Sequence, residues 1–153
     1  MSKNTRFLTH AAVIAALYAV LTHLQNVLLP GSTTWAIQMR LSEALCVLSF
    51  FTPAAIPGLT VGCLVFNITY AAALPLDFLV GSLATLLAAG GMWLTRRVTV
   101  KGYPLVGMAM PALFNALLVG WELTVYIGGG FFLNALYVAL GELAVLLTFG
   151  TML

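Results

Sequence analysis

The sequence predicts an all-α fold, an integral membrane bundle of six transmembrane helices with both termini cytoplasmic, and three observations predict it. First, 62% of the 153 residues are hydrophobic and only 7% are charged, with a mean hydropathy of +1.08. A soluble globule needs about 25% charged residues to cover itself with polar surface, and this chain falls far short. Second, the apolar sequence is interrupted at Pro30-Gly31, Thr52-Pro53, Pro75, Arg96 to Lys101 and Gly128 to Gly130, which leaves six helical lengths. Third, six spans starting inside the cell put Lys3, Arg6, Arg96, Arg97 and Lys101 on the cytoplasmic side and leave only Arg40 outside, as the positive-inside rule requires. Residues 1–153 read as one transmembrane domain with no tandem repeat.

The first helix, about Phe7 to Leu29, is too long for the ~7 to 15 apolar residues of a signal-peptide core, so it stays in the membrane. Ala11, Ala12, Ala15, Ala16 and Ala19 give it two overlapping small-xxx-small series. These serve either ordinary packing within the chain or docking of another membrane subunit. Beyond Ala19 the helix turns polar, with Thr22, His23, Gln25 and Asn26, and His23 reads as a hydrogen-bonding partner rather than a ligand. Pro30 to Met39 is a connection; its Trp35 suits either an interfacial anchor or a site wall. The second helix opens at Arg40-Leu41-Ser42-Glu43, where Arg40 and Glu43 are three apart and can pair, and runs to about Phe51, short for a span. A third helix begins near Pro57, carries Gly58-xxx-Gly62 for close packing and reaches Asn67 and Tyr70. Asp77 is placed to cap a fourth helix that runs to about Leu94. The fifth helix spans about Pro104 to Ile127 and the sixth runs from about Phe131 to the end.

The stretch from Phe114 to Leu143 sets Asn115, Glu122, Asn134 and Glu142 in otherwise apolar sequence. A carboxylate at the centre of a bilayer costs on the order of 2.5 to 3.5 kcal/mol on insertion scales, so it needs a partner or a task. Gly128-Gly129-Gly130 divides the stretch into a helical hairpin. Asn115 and Glu122 lie two turns apart on one face, with Val119 and Tyr126 near the same stripe, while Asn134 and Gly141 share a face flanked by Glu142. These groups converge either as packing glue or as a pocket opening on the glycine side, with Asn67 and Tyr70 contributing from the outer half.

Other chemistry is missing. The glycine clusters lack the Lys-Ser/Thr of a phosphate-binding loop, so the chain does not hydrolyse ATP by itself. No metal, cofactor or catalytic motif appears, and a net charge of +2 without a basic face argues against nucleic acid. Cys46 and Cys63 lack paired spacing and read as small buried packing residues. Binding or transport is favoured over an enzyme.

Several motifs together resemble the queuosine-precursor transporter family: Ile37-Gln38-Met39-Arg40-Leu41-Ser42-Glu43-Ala44, Ile56-Pro57-Gly58 through Gly62-Cys63 and Asn67, Asp77 to Ala89 with Gly81-Ser82-Leu83-Ala84-Thr85-Leu86, Phe114-Asn115-Ala116, and Gly141-Glu142-Leu143. The resemblance covers nearly the whole chain. It implies the substrate-binding S component of an energy-coupling-factor (ECF) importer in a prokaryotic plasma membrane. Such a component captures a 7-deazaguanine such as queuine, preQ1 or preQ0 from outside. It then topples in the lipid bilayer as a scaffold subunit and two ATPase subunits turn over. The alanines of the first helix are similar to the AxxxA-type surface that docks on the scaffold. One departure is that the chain stops at Leu153, where the sixth helix is expected to run on into a short polar tail.

That substrate class suits the residues. A carboxylate can accept two adjacent N–H donors of a guanine-like edge, an Asn can serve its carbonyl, and Trp35, Tyr70, Tyr126 or Tyr137 can stack on the ring. An aminomethyl arm adds a cation for a second carboxylate, and the sequence leaves open which of Glu122 and Glu142 does which. The substrate-binding set is therefore Trp35, Arg40, Glu43, Asn67, Tyr70, Asn115, Glu122, Tyr126, Asn134, Tyr137 and Glu142. The alternatives are an S component for another vitamin-like ligand, a small proton-coupled carrier using Glu122 and Glu142, and, third, a membrane enzyme.

Overall fold

The computed structural model describes residues 2–33, 39–70 and 73–152. Its elements are α1 (Lys3–Leu28), a 3-10 helix (Leu41–Phe50), α2 (Ala55–Thr69), α3 (Asp77–Thr95), α4 (Leu105–Tyr126) and α5 (Phe131–Val145), which continues as a π-helical turn over Leu146–Gly150. These match the six expected helices to within a few residues. Four are long and apolar enough to cross a membrane: Lys3–Leu28, Asp77–Thr95, Leu105–Tyr126 and Phe131–Gly150. The 3-10 helix and α2 are shorter, about 20 and 22 Å at their respective rises, against ~30 Å of hydrocarbon.

Chain direction alternates through the bundle. Gly58 lies against Ala11 and Ile14, and Gly62 against Ala15 and Tyr18, so α2 runs parallel to α1. Gly120 lies against Ala135 while Asn115 meets Glu142, so α4 and α5 are antiparallel. A Cβ at Gly58 would stand 2.8 Å from the Ala11 carbonyl oxygen, and one at Gly62 would stand 2.7 Å from that of Ala15. Only glycine allows this approach, as the spacing of the pair predicted. Gly128 and Gly129, at φ +85° and +84°, turn the chain between α4 and α5 in the left-handed region that glycine adopts without strain.

The 3-10 helix touches every other helical element, and seven of its ten residues are buried, against five of 26 in α1. It is the axis of the bundle. Its lower half packs into an apolar core with Ile14, Tyr18, Leu59, Cys63, Ala89, Met92 and Leu146, while Ala84, Val119, Leu123 and Val138 form a second cluster between α3, α4 and α5. Cys46 and Cys63 are free and buried, as expected of packing residues.

Lys3 and Arg6 open α1, whereas Arg96, Arg97 and Lys101 join the end of α3 to the start of α4. Alternation of chain direction brings all five to one end of the bundle.

Candidate functional site

All four acidic residues of the chain are inside. Glu43 is 1% exposed, Asp77 2%, Glu122 0% and Glu142 3%, and Arg40, at 4%, is the one basic side chain buried with them. Water cannot stabilise these charges, so each must find donors or a counter-ion within the protein, or carry a proton.

Arg40 is the first organiser. It sits at the N-cap of the 3-10 helix in an extended conformation, φ −86° and ψ 104°, which swings its side chain off the helix. Its Nη2 donates to Asp77 Oδ2 at 2.9 Å, its Nε to the Thr33 carbonyl at 3.3 Å and its Nη1 to Cys63 Sγ at 3.6 Å. The expected pairing of Arg40 with Glu43 is therefore corrected. Asp77 is corrected too. The N-cap of α3 is Leu76 and makes no side-chain bond, while Asp77 occupies the first turn, where a carboxylate is favoured by the helix dipole, and faces Arg40. Asn67 donates to the Asp77 carbonyl at 2.8 Å. Gly81 makes room for this group, because a Cβ there would lie 2.7 Å from Asp77 Oδ1 and 3.0 Å from Asn67 Nδ2.

Glu43 faces the other way and is fully engaged. Its Oε1 accepts from the Tyr18 hydroxyl and from Thr85 Oγ1 at 3.4 Å, and its Oε2 accepts from Cys46 Sγ at 3.2 Å. Above it, Gln25 secures the connection between α1 and the 3-10 helix, donating to Ser32 Oγ at 2.9 Å and to the Met39 carbonyl and accepting from the Leu41 amide at 2.8 Å. Asn26 and Thr33 exchange bonds of 2.8 and 3.0 Å. His23 Nε2 is 2.9 Å from Thr69 Oγ1, the partnered role expected of it.

The hairpin of α4 and α5 is different. Asn115 Nδ2 donates to Glu142 Oε1 at 3.1 Å, but Glu142 Oε2 and both oxygens of Glu122 are buried with no hydrogen-bond partner among the described residues. Asn67 Oδ1, Asp77 Oδ1 and the hydroxyls of Ser49 and Ser82 are in the same condition. Glu122 lies within electrostatic range of Asp77 and Arg40, and Glu142 within range of Glu43 and Arg40, so Arg40 is the cation common to both acids of the hairpin. Buried acceptors of this kind suit a ligand that brings N–H donors.

The remaining candidates divide. Asn134 donates to Thr124 Oγ1 and to the Gly128 carbonyl, each at 3.0 Å, and so latches the glycine turn. Tyr70 is half-buried and stacked on Phe66, with ring centroids 5.1 Å apart. Tyr137 is half-buried and Tyr126 exposed, so the latter leaves the interior stripe on which it was expected. Trp35 lies outside the described residues. The two alanine series separate: Ala11 and Ala15 are consumed against Gly58 and Gly62, Ala19 is half-buried, and Ala12 and Ala16 remain exposed. Sequence reasoning passed over Tyr18, Thr85 and Gln25 as site members. Their signal was the polar i, i+4 run Tyr18, Thr22, Asn26 with Gln25 beside it, and Thr85 one turn beyond Gly81. Among the described residues no three His, Cys, Asp or Glu side chains gather as a metal centre needs.

No curated protein and no solved structure matches the chain. A family model described as QueT transporter matches residues 8–153, which takes in every element after the first turn of α1. Its match over nearly all of a helical chain with four helices long and apolar enough to cross a membrane makes this a membrane transporter, and the chain belongs to the QueT transporter family.

Proposed function

We propose that the chain is the substrate-binding S component of an ECF-type importer and that it takes up a queuosine precursor, a 7-deazaguanine, from outside the cell. The observation that carries this reading is Glu122, wholly buried with both carboxylate oxygens unpartnered among the described residues, where Asn67, Asp77 and Glu142 each keep one further oxygen without a partner. An aminopyrimidinone edge offers two adjacent coplanar N–H donors to such a carboxylate. Family membership supports the substrate class. The positive-inside rule puts the basic end in the cytoplasm and the Arg40–Asp77 end towards the outside, which suits capture of an external ligand. Energy then has to come from partners, since the chain has no nucleotide-binding loop. The exposed Ala12 and Ala16 supply a smooth strip on α1 for a scaffold subunit.

Mass spectrometry of small molecules released from the purified chain tests the ligand, with a 7-deazaguanine as the expected product. Any other vitamin-like compound would redirect the assignment. A second reading, a proton-coupled carrier, draws on the same oxygens left without a partner among the described residues, both of Glu122 and one of Glu142, where each acid can hold a proton. Uptake that survives loss of the ATPases and collapses with the proton gradient would favour it.

A further inference from the structure

At the basic end of the bundle a groove of about 270 Å³ opens between the end of the 3-10 helix, the start of α4 and the π-helical turn. Phe50, Phe51, Tyr103, Met108 and Gly150 line it, and its surface is almost wholly apolar. Two of these rings are largely uncovered, Phe51 at 76% and Tyr103 at 68%. Gly107 lets the Phe50 ring close against α4, since a Cβ there would stand 2.5 Å from it.

Tyr103 also closes a tight turn. Val100 and Tyr103 exchange backbone bonds of 2.8 and 3.1 Å, and between them Lys101 and Gly102 have φ of +52° and +86°. Positive φ at both central residues is the type I′ pattern, whose first position is usually Asn, Asp or Gly. Among the described residues Lys101 is the one non-glycine residue with positive φ, and a lysine kept in that conformation points to a use for its charge. The ends of such a turn lie under about 7 Å apart, so Lys101 stands beside the lip of the groove at Tyr103.

Charge here is unmatched from within. Arg96 is spent on Trp93, with its guanidinium 3.6 Å from the ring centroid and its Nη1 donating to the Trp93 carbonyl at 2.6 Å. Arg97 and Lys101 are exposed and have no side-chain partner among the described residues. All four acids of the chain are buried elsewhere, so an anion for these two cations has to come from outside the chain.

We propose that this groove is a binding site for an anionic phospholipid, with an acyl chain against Phe50, Phe51, Tyr103 and Met108 and the phosphate headgroup held by Lys101 and Arg97. Charge complementarity selects the occupant. An apolar helix would cover the rings and leave both cations unmet, while a free phosphate would meet the cations and leave the groove bare. A phospholipid satisfies both at once.

The test is native mass spectrometry of the full chain released from detergent micelles and titrated with dioleoyl-phosphatidylglycerol or dioleoyl-phosphatidylcholine. The parent is expected to retain one phosphatidylglycerol at a concentration at least tenfold below that needed for phosphatidylcholine. Arg97→Gln with Lys101→Gln should bring this preference below threefold. Lys3→Gln with Arg6→Gln removes the same charge from the other basic segment and should leave it unchanged. Met108→Trp fills the groove without altering charge and should weaken retention of both lipids at least tenfold. Equal retention of the two lipids by the parent overturns the proposal and would leave the groove to a protein partner. Equal losses in the two double variants overturn it as well, because the attraction would then be general to the basic end. Displacement of the lipid by an equal concentration of glycerol 1-phosphate would show that the acyl chain contributes nothing and would overturn the groove as its seat. Should Met108→Trp not fold, Thr151→Trp, at another lining residue, takes its place; undiminished retention by the variant that folds has the same overturning force.

Discussion

Glu43 and Glu122 are equally shut away from water and are otherwise opposites. Glu43, on the central 3-10 helix, is surrounded by donors from α1, α3 and its own helix. Glu122, on α4, has none among the described residues. The first kind of burial stabilises one arrangement of the bundle, because each oxygen would otherwise be stranded. The second kind disfavours the arrangement it sits in until something with donors arrives. Burial alone therefore does not separate a structural carboxylate from a functional one; the inventory of partners does.

Mutations can break this contrast, and the largest effect belongs to the bonded side. Arg40→Met leaves Asp77 buried without its cation and should cost about 3–5 kcal/mol, read as a lowered unfolding midpoint in detergent. A stability close to the parent's would mean that the pair does not hold α3 to the 3-10 helix. Gly81→Ala should cost about 1–3 kcal/mol by the same measurement, since its methyl group displaces Asp77 Oδ1 and Asn67 Nδ2. The contrast is sharpest when one substitution is made at both acids. Glu43→Gln turns an acceptor into a donor facing the Tyr18 and Thr85 hydroxyls and should destabilise by about 1–3 kcal/mol, whereas Glu122→Gln should leave the ligand-free midpoint unchanged or raised. Equal losses would make Glu122 as structural as Glu43. The smallest expected effect is at the alanines. Ala16→Leu should change stability by under about 0.5 kcal/mol, against about 1–3 kcal/mol for Ala15→Leu, since Ala15 is half-buried with its backbone against Gly62. On the proposed S-component reading, uptake should nonetheless fall in Ala16→Leu, and normal uptake would remove the docking role proposed for that strip.

Much of this was legible in the sequence because the relevant signals are local. A Glu in an apolar run is conspicuous wherever it falls, a glycine triplet marks a turn, and Gly58-xxx-Gly62 declares a close helix contact. What stayed hidden depends on how elements lie against each other. Arg40 and Asp77 are 37 residues apart, and their pairing follows from the extended backbone at Arg40, which takes its side chain away from Glu43. Reading Arg40 and Glu43 as neighbours assumed helical backbone at both. Nothing in Leu41 to Phe50 announces a 3-10 helix of ten residues, longer than such runs usually persist, so the tighter winding is a product of the packing around it. Tyr18 looked like one more apolar residue of α1 because its ring packs as one, while its hydroxyl meets Glu43.

The inward placement of every acid has a consequence for how the bundle sits among lipids. A formal net charge of +2 describes the whole chain, yet all the charge that the exterior presents is positive and lies at one end: Lys3, Arg6, Arg96, Arg97 and Lys101. Anionic headgroups attract such residues by about 1 kcal/mol each. At the opposite end Arg40 and Asp77 are buried together, and no other charged residue occurs in its connections. One rim of the protein is thus moored electrostatically and the other is held only by its apolar fit, so a change in leaning angle pivots about the moored rim, and depleting anionic lipid loosens the pivot without touching the interior.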